Sequence, residues 1–92
     1  MNINVVGSGG WGTALALVLL ENGHEVTLWS HTREESDVLR QRRENPMLPG
    51  VRLPEELELT ADLTCVKECQ VIVLVTPSFA IRETAQKLAA LA

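Results

Sequence analysis

The six residues Gly7-Ser8-Gly9-Gly10-Trp11-Gly12 restrict the fold of this chain more than any other stretch. They fit G-x-G-x-x-G, with a short apolar run, Ile3-Asn4-Val5-Val6, before them and a helix-like stretch, residues 13–21, after them. A glycine-rich turn between a strand and a helix aims backbone N–H groups and the helix's positive end at one point, where a phosphate can sit. In such a turn Gly7 allows the tight bend, Gly9 the close approach of a pyrophosphate, and Gly12 the close contact of helix on strand. The pattern alone is weak; the flanking strand and helix are what make it a dinucleotide fingerprint. The plainer alternative is three glycines that only relieve crowding.

The remaining elements follow the same alternation. Residues 2–6 read as the first strand. The helix over 13–21 is apolar on nearly every side, from Ala14 through Leu20. A helix resting on one sheet face shows a single apolar stripe, so an all-round one predicts cover on both sides. Asn22-Gly23 ends it, and His24 is a turn residue. Glu25–Trp29 is the second strand. Thr32 and Glu35 match a capping box opening a largely exposed helix to about Glu44, whose large apolar groups are Val38 and Leu39. Residues 45–54 hold three prolines and a glycine and read as a loop. Residues 57–60 alternate like an edge strand, and residues 62–68 suggest a weak helix. Val71-Ile72-Val73-Leu74-Val75 is an unbroken run of the kind a parallel strand shows when both faces are buried. Thr76-Pro77-Ser78 starts the last helix, with Ile81, Ala85 and Leu88 expected on its inner face.

Four strand–helix alternations with short loops predict an α/β, Rossmann-like parallel sheet with helices on both faces. Right-handed crossovers give strand order 3-2-1-4. The chain ends at Leu91-Ala92, at or inside a helix, and residues 1–92 read as the N-terminal part of an NAD(P)-binding Rossmann domain cut short.

Composition removes several functions. Ninety-two residues with 46% hydrophobic and 22% charged side chains are enough for one small globular unit. A net charge of −4 leaves no basic surface for nucleic acid. No apolar run is long enough to span a bilayer, and no leader precedes the first strand, so a cytoplasmic protein is expected. Cys65 and Cys69 lack a histidine close by and the spacing of a metal site; free, partly buried thiols are expected, with no metal.

Strand ends of such a sheet face the ligand crevice. An NAD-selective site places Asp or Glu about 20 residues beyond the glycines to bind the ribose hydroxyl. Here Ser30-His31-Thr32-Arg33 stand instead. A 2′-phosphate would then meet no carboxylate, and Arg33 could pair with it, so NADPH should be accepted. The alternative is that Arg33 is a solvated first-turn residue. Trp11 is expected either against the cofactor, on a neighbouring domain, or packed on its own helix. Pro77 should border the nicotinamide half. No general acid or base for hydride transfer is found: Lys67 and Lys87 lie in helices away from the crevice.

The chain resembles the bacterial NAD(P)-dependent glycerol-3-phosphate dehydrogenases along its whole length. Gly7-Ser8-Gly9-Gly10-Trp11-Gly12-Thr13-Ala14-Leu15-Ala16 is similar to their N-terminal signature. Glu44-Asn45-Pro46-Met47-Leu48-Pro49-Gly50 is similar to their proline-bearing loop, and Val75-Thr76-Pro77-Ser78 to their fourth strand end. Gly10 departs from the frequent serine, and Met47 stands where an aromatic is common. The resemblance implies reversible reduction of dihydroxyacetone phosphate to sn-glycerol 3-phosphate for phospholipid synthesis, with NADP or NAD. It implies that Gly10, Trp11, His31 and Arg33 contact the cofactor. It also places catalytic lysines and a helical substrate domain beyond Ala92, and a homodimer at full length. Such a domain would cover the outer side of the first helix. The rival readings are a ketopantoate reductase or 6-phosphogluconate dehydrogenase type of cofactor domain and a non-enzymatic nucleotide sensor.

Overall fold

The computed structural model of the chain describes residues 1–75 and 78–91, and the side chains of these except residues 78–81. Strands β1 (Asn2–Val6), β2 (Glu25–Trp29), β3 (Glu58–Thr60) and β4 (Val71–Leu74) form one sheet in the order β3-β2-β1-β4, with every pairing parallel. This is the order that right-handed crossovers demand. Among the described residues, three α-helices connect or follow the strands: α1 (Gly10–Glu21), α2 (Arg33–Arg42) and α3 (Ser78–Leu91).

Strand alternation divides the core in two. Val5 stands between Leu28 and Val73, and Val6 between Trp29 and Leu74. Val5, Val26, Leu28 and Leu59 pack beneath Ala16 of α1 and Leu39 of α2, joined by Leu53 and Leu57 from the long loop before β3. Val6 and Trp29 face the other way, onto Val66, Leu74, Leu88 and Leu91. Parallel sheets require cover on both faces: α1 and α2 supply it on the first face, and residues 63–68 with α3, which follows the last strand, on the second.

Several local expectations shift. Helix α1 starts at Gly10 rather than residue 13, so Gly10, Trp11 and Gly12 form its first turn. Glycine lowers helix propensity most in the interior; in the first turn the N–H groups need no partner, and the Thr13 N–H closes the first bond on the Gly9 carbonyl at 3.0 Å. Most of the apolar side chains of α1 are half-buried, while Val18 is 53% exposed. Helix α2 ends at Arg42 because Arg43 turns into the left-handed region at φ 50°.

Residues Leu63–Glu68 form a 3-10 helix, not an α-helix. Six residues are too few to offset α-helix nucleation, and Asp62 caps the tighter turn by accepting from the Thr64 N–H at 3.0 Å and the Thr64 hydroxyl at 2.7 Å. Those bonds hold the exposed Asp62 carboxyl below the usual aspartate range.

The fourth strand is not buried on both faces: Ile72 is 43% exposed, because β4 is an edge of the described sheet. On α3 the inner face carries buried Thr84 with half-buried Leu88 and Leu91, whereas Ala85 is exposed. The 84-88-91 stripe has the same spacing as the expected 81-85-88, with the threonine taking a core place usually held by an apolar side chain. Thr76 and Pro77, and the side chain of Ile81, lie outside the described residues.

Cys65 and Cys69 are both free and half-buried. Cys65 Sγ accepts from the Asn4 side-chain amide at 3.2 Å, giving a buried polar group inside β1 its partner. Burial above all, then the neighbouring Cys69 and Asp62, pushes the Cys65 thiol up to about 11.

Candidate functional site

A cleft of about 880 Å³ opens over the carboxyl ends of β1, β2 and β4. The glycine turn forms its floor, with Trp29, His31, Glu34 and Glu35 on the β2 side and Asn45, Pro46 and Met47 from the long loop. Val75 lines the end of β4, where its N–H extends the β1 pairing to the Val6 carbonyl at 2.9 Å. The cleft therefore sits at the point between β1 and β4 where the strand order reverses, the usual ligand position in open α/β sheets.

The three glycines hold three different positions. Gly7 has φ 130°, a conformation that side chains oppose. A Cβ on Gly12 would fall on the Gly7 carbonyl oxygen, so α1 starts closer to β1 than any other residue allows. A Cβ on Gly9 would meet nothing within 4 Å, and Gly9 is exposed on the open side of the turn.

The start of α1 has no side-chain cap and no acidic residue in its first turn. Its leading N–H groups lack intrahelical acceptors, so donors and the positive end of the helix face the cleft. A phosphate fits such a surface, both in charge and in the space left above Gly9. At α2 the arrangement is opposite. Thr32 Oγ1 accepts from the Glu35 N–H at 3.2 Å, and Glu34 and Glu35 sit in the first turn, so that helix end is already satisfied.

Gly7, Ser8, Gly9, Gly10, Trp11, Gly12 and His31 all line the one cleft. Trp11 does not pack on its own helix: it is 86% exposed at the cleft's rim. The His31 ring meets buried Trp29 edge to face, with centroids 5.8 Å apart and planes at 86°. Arg33 is exposed and is not among the lining residues, and Pro77 lies outside the described residues. The premise that this end of the cleft lacks carboxylates does not hold, since Glu34 and Glu35 line it. Their place in the first turn of α2, where the dipole favours acids, brings them there. Lys67 and Lys87 do not line the cleft, and Lys87 pairs with Glu83 along α3 at 3.4 Å.

Asn45 is the residue that sequence reasoning passed over. It is 3% exposed, and its side-chain amide donates to the Ser8 carbonyl and to Thr13 Oγ1, both at 2.7 Å. Its Oδ1 accepts from the Met47 N–H at 3.0 Å. Asn-Pro reads as turn chemistry, and nothing local signals a return to a loop 37 residues earlier. Met47 leans over the start of α1, where a Cβ on Gly10 would lie 3.1 Å from the Met47 carbonyl oxygen.

Among the described residues no helix is long and apolar enough to cross a membrane, and no group of three or more His, Cys, Asp or Glu could hold a metal ion.

A parallel 3-2-1-4 sheet with an uncapped glycine turn at its switch point defines the dinucleotide-binding class of α/β proteins. Within that class, the chain belongs to the NAD-dependent glycerol-3-phosphate dehydrogenase family: residues 2–92 match the model of that family's N-terminus. It is 48% identical over 89 residues to the glycerol-3-phosphate dehydrogenase (NAD(P)+) of Desulfitobacterium hafniense, covering 96% of this chain and 25% of that protein. The corresponding Geobacillus thermodenitrificans protein is 49% identical over 88 residues, covering 94% and 26%. The crystal structure of glycerol-3-phosphate dehydrogenase from Coxiella burnetii superposes with a TM-score of 0.90 at 36% identity, over 98% of this chain and 28% of that one. The chain thus spans about a quarter of the length of the relatives it matches.

Proposed function

We propose that this chain is the NAD(P)-binding part of an sn-glycerol-3-phosphate dehydrogenase, the enzyme that interconverts dihydroxyacetone phosphate and glycerol 3-phosphate at the entry to phospholipid synthesis. The observation that carries the reading is the uncapped start of α1, facing a cleft at the strand switch point in a chain of this family. The residues assigned to the cofactor are Gly7, Ser8, Gly9, Gly10, Trp11, Gly12 and His31, with Arg33 for a 2′-phosphate and Pro77 for the nicotinamide half. The nicotinamide supplies the hydride; this chain's part is to hold the diphosphate, keep the adenosine end beside His31, and present Trp11 at the rim.

The catalytic groups, a helical substrate domain and a homodimer contact belong to the complete protein in this reading, and its place is the cytoplasm. The test is the full-length protein, assayed for oxidation of NADH and NADPH on addition of dihydroxyacetone phosphate. Turnover with that ketone and not with ketopantoate supports the reading. Cofactor binding without turnover of any ketone would support the nucleotide-sensor alternative and overturn it.

A further inference from the structure

The geometry points to Asn45 as the positioning residue of the phosphate turn: its side-chain amide, holding the Ser8 carbonyl, turns the Gly9 N–H outward into the cleft. The inference rests on the dinucleotide reading above and names a residue that reading does not include.

A trans peptide is planar, so its carbonyl and its N–H point in opposite directions. The Ser8 carbonyl is held from the loop side by Asn45 Nδ2 at 2.7 Å and, more loosely, by the Thr13 hydroxyl at 3.3 Å. Both contacts lie behind the turn, and the N–H of the same peptide, which belongs to Gly9, is left facing the open side. The next peptide is aimed likewise, because the Gly9 carbonyl accepts from the Thr13 N–H and sends the Gly10 N–H out along the helix axis. Helix geometry secures the second peptide by itself. The first lies before the helix and depends on a side chain from elsewhere in the chain.

Asn45 suits that task. It is buried, and its amide nitrogen has two acceptors, Ser8 O and Thr13 Oγ1. Its oxygen is occupied by the Met47 N–H, which fixes which end of the amide faces the turn. Glycine at position 9 leaves the backbone free to rotate, so without the Asn45 bond the 8–9 peptide has no strong constraint. An anion that needs a fixed donor would then meet a mobile one.

The test uses the full-length protein and measures dissociation constants for NADH, thermal melting, and the Gly9 amide resonance without ligand. Asn45→Ser keeps a turn-forming oxygen for the Met47 N–H but is too short to reach Ser8. Leu57→Ala, a core truncation outside the cleft, controls for lost stability. Asn45→Ser is expected to weaken NADH binding roughly 5- to 30-fold, as the loss of one oriented donor does, and to shift the free Gly9 resonance. The Leu57→Ala protein melts lower and binds as before. Asn45→Ala repeats the measurement should the serine variant fold poorly. Equal affinity in a folded Asn45 variant, or equal weakening by Leu57→Ala, overturns the inference and leaves the dinucleotide reading standing. Failure of the unsubstituted protein to bind NADH overturns both.

Discussion

Gly12 lies so close beneath Gly7 that the Gly7 carbonyl oxygen occupies the place a Gly12 side chain would take. This one contact sets how near α1 begins to the end of β1, and with it how directly the helix start faces the cleft. It also separates the glycines by what a methyl group would do at each.

Gly12→Ala should displace α1 and cost roughly 1–3 kcal/mol, since the obstruction is backbone and cannot rotate away. Gly9→Ala should behave in the opposite way. Its φ of −66° and ψ of −177° suit alanine, and the new methyl meets no protein atom. Denaturant unfolding and NADH titration of the two variants are the check. Gly9→Ala should retain stability and lose cofactor affinity, and Gly12→Ala should lose both.

Arg43 closes the long loop over the core. Its Nη1 donates to the carbonyls of Pro54 and Leu57, both at 3.0 Å, and its backbone carbonyl accepts from the Leu53 N–H at 2.6 Å. Arg43→Ala leaves two carbonyls without their charged donor and keeps the unfavourable left-handed backbone, so a loss of roughly 2–4 kcal/mol is expected. Arg43→Gly removes the same bonds but eases the backbone, and should be milder. The ion pair with Glu55 is 3.7 Å long and that carboxylate is 76% exposed. Glu55→Gln should therefore change unfolding by less than about 1 kcal/mol.

Cofactor choice should respond to the acids rather than to Arg33 alone. A 2′-phosphate at the β2 end would face Glu34 and Glu35 on the cleft wall, whereas Arg33 is exposed and does not line the cleft. The expected result is that Glu34→Gln with Glu35→Gln strengthens NADPH binding and leaves NADH nearly unchanged. Arg33→Ala weakens NADPH selectively if the arginine swings in on binding; equal affinities for NADPH before and after would retire its assignment.

Cys65 makes stability depend on alkaline pH. Its folded value of about 11 stands above the ordinary 9.0, so the folded state favours the neutral thiol. The contribution is complete below the unfolded value and is lost as pH rises through the folded one, in the window from 9.0 to about 11. Cys65→Ser retains a partner for the Asn4 amide and has no group that titrates there. Melting temperatures of the two proteins should converge or cross over that window, and alkylation of Cys65 at pH 9.0 should be slower than that of an unfolded-peptide thiol.

The order of elements, the parallel sheet and the glycine turn before α1 were written in local chemistry. Period-two and period-3.6 patterns, a glycine spacing and a capping threonine each act within a few residues, and right-handed crossovers then leave one strand order. His31 reached the cleft for the same reason: it follows the strand next to β1. What local chemistry did not contain were the relations across the fold. Asn45 acts on Ser8 through a fold-back of the loop, Glu34 and Glu35 reach the cleft by the position of α2, and Leu53 is core because Arg43 folds its loop inward. Ile72 is exposed because of its place at the sheet edge, although its neighbours read as buried. Sequence determines what each segment prefers on its own; which distant groups share a hydrogen bond or a cleft is decided only when the segments pack, because those energies depend on distances that the chain acquires by folding.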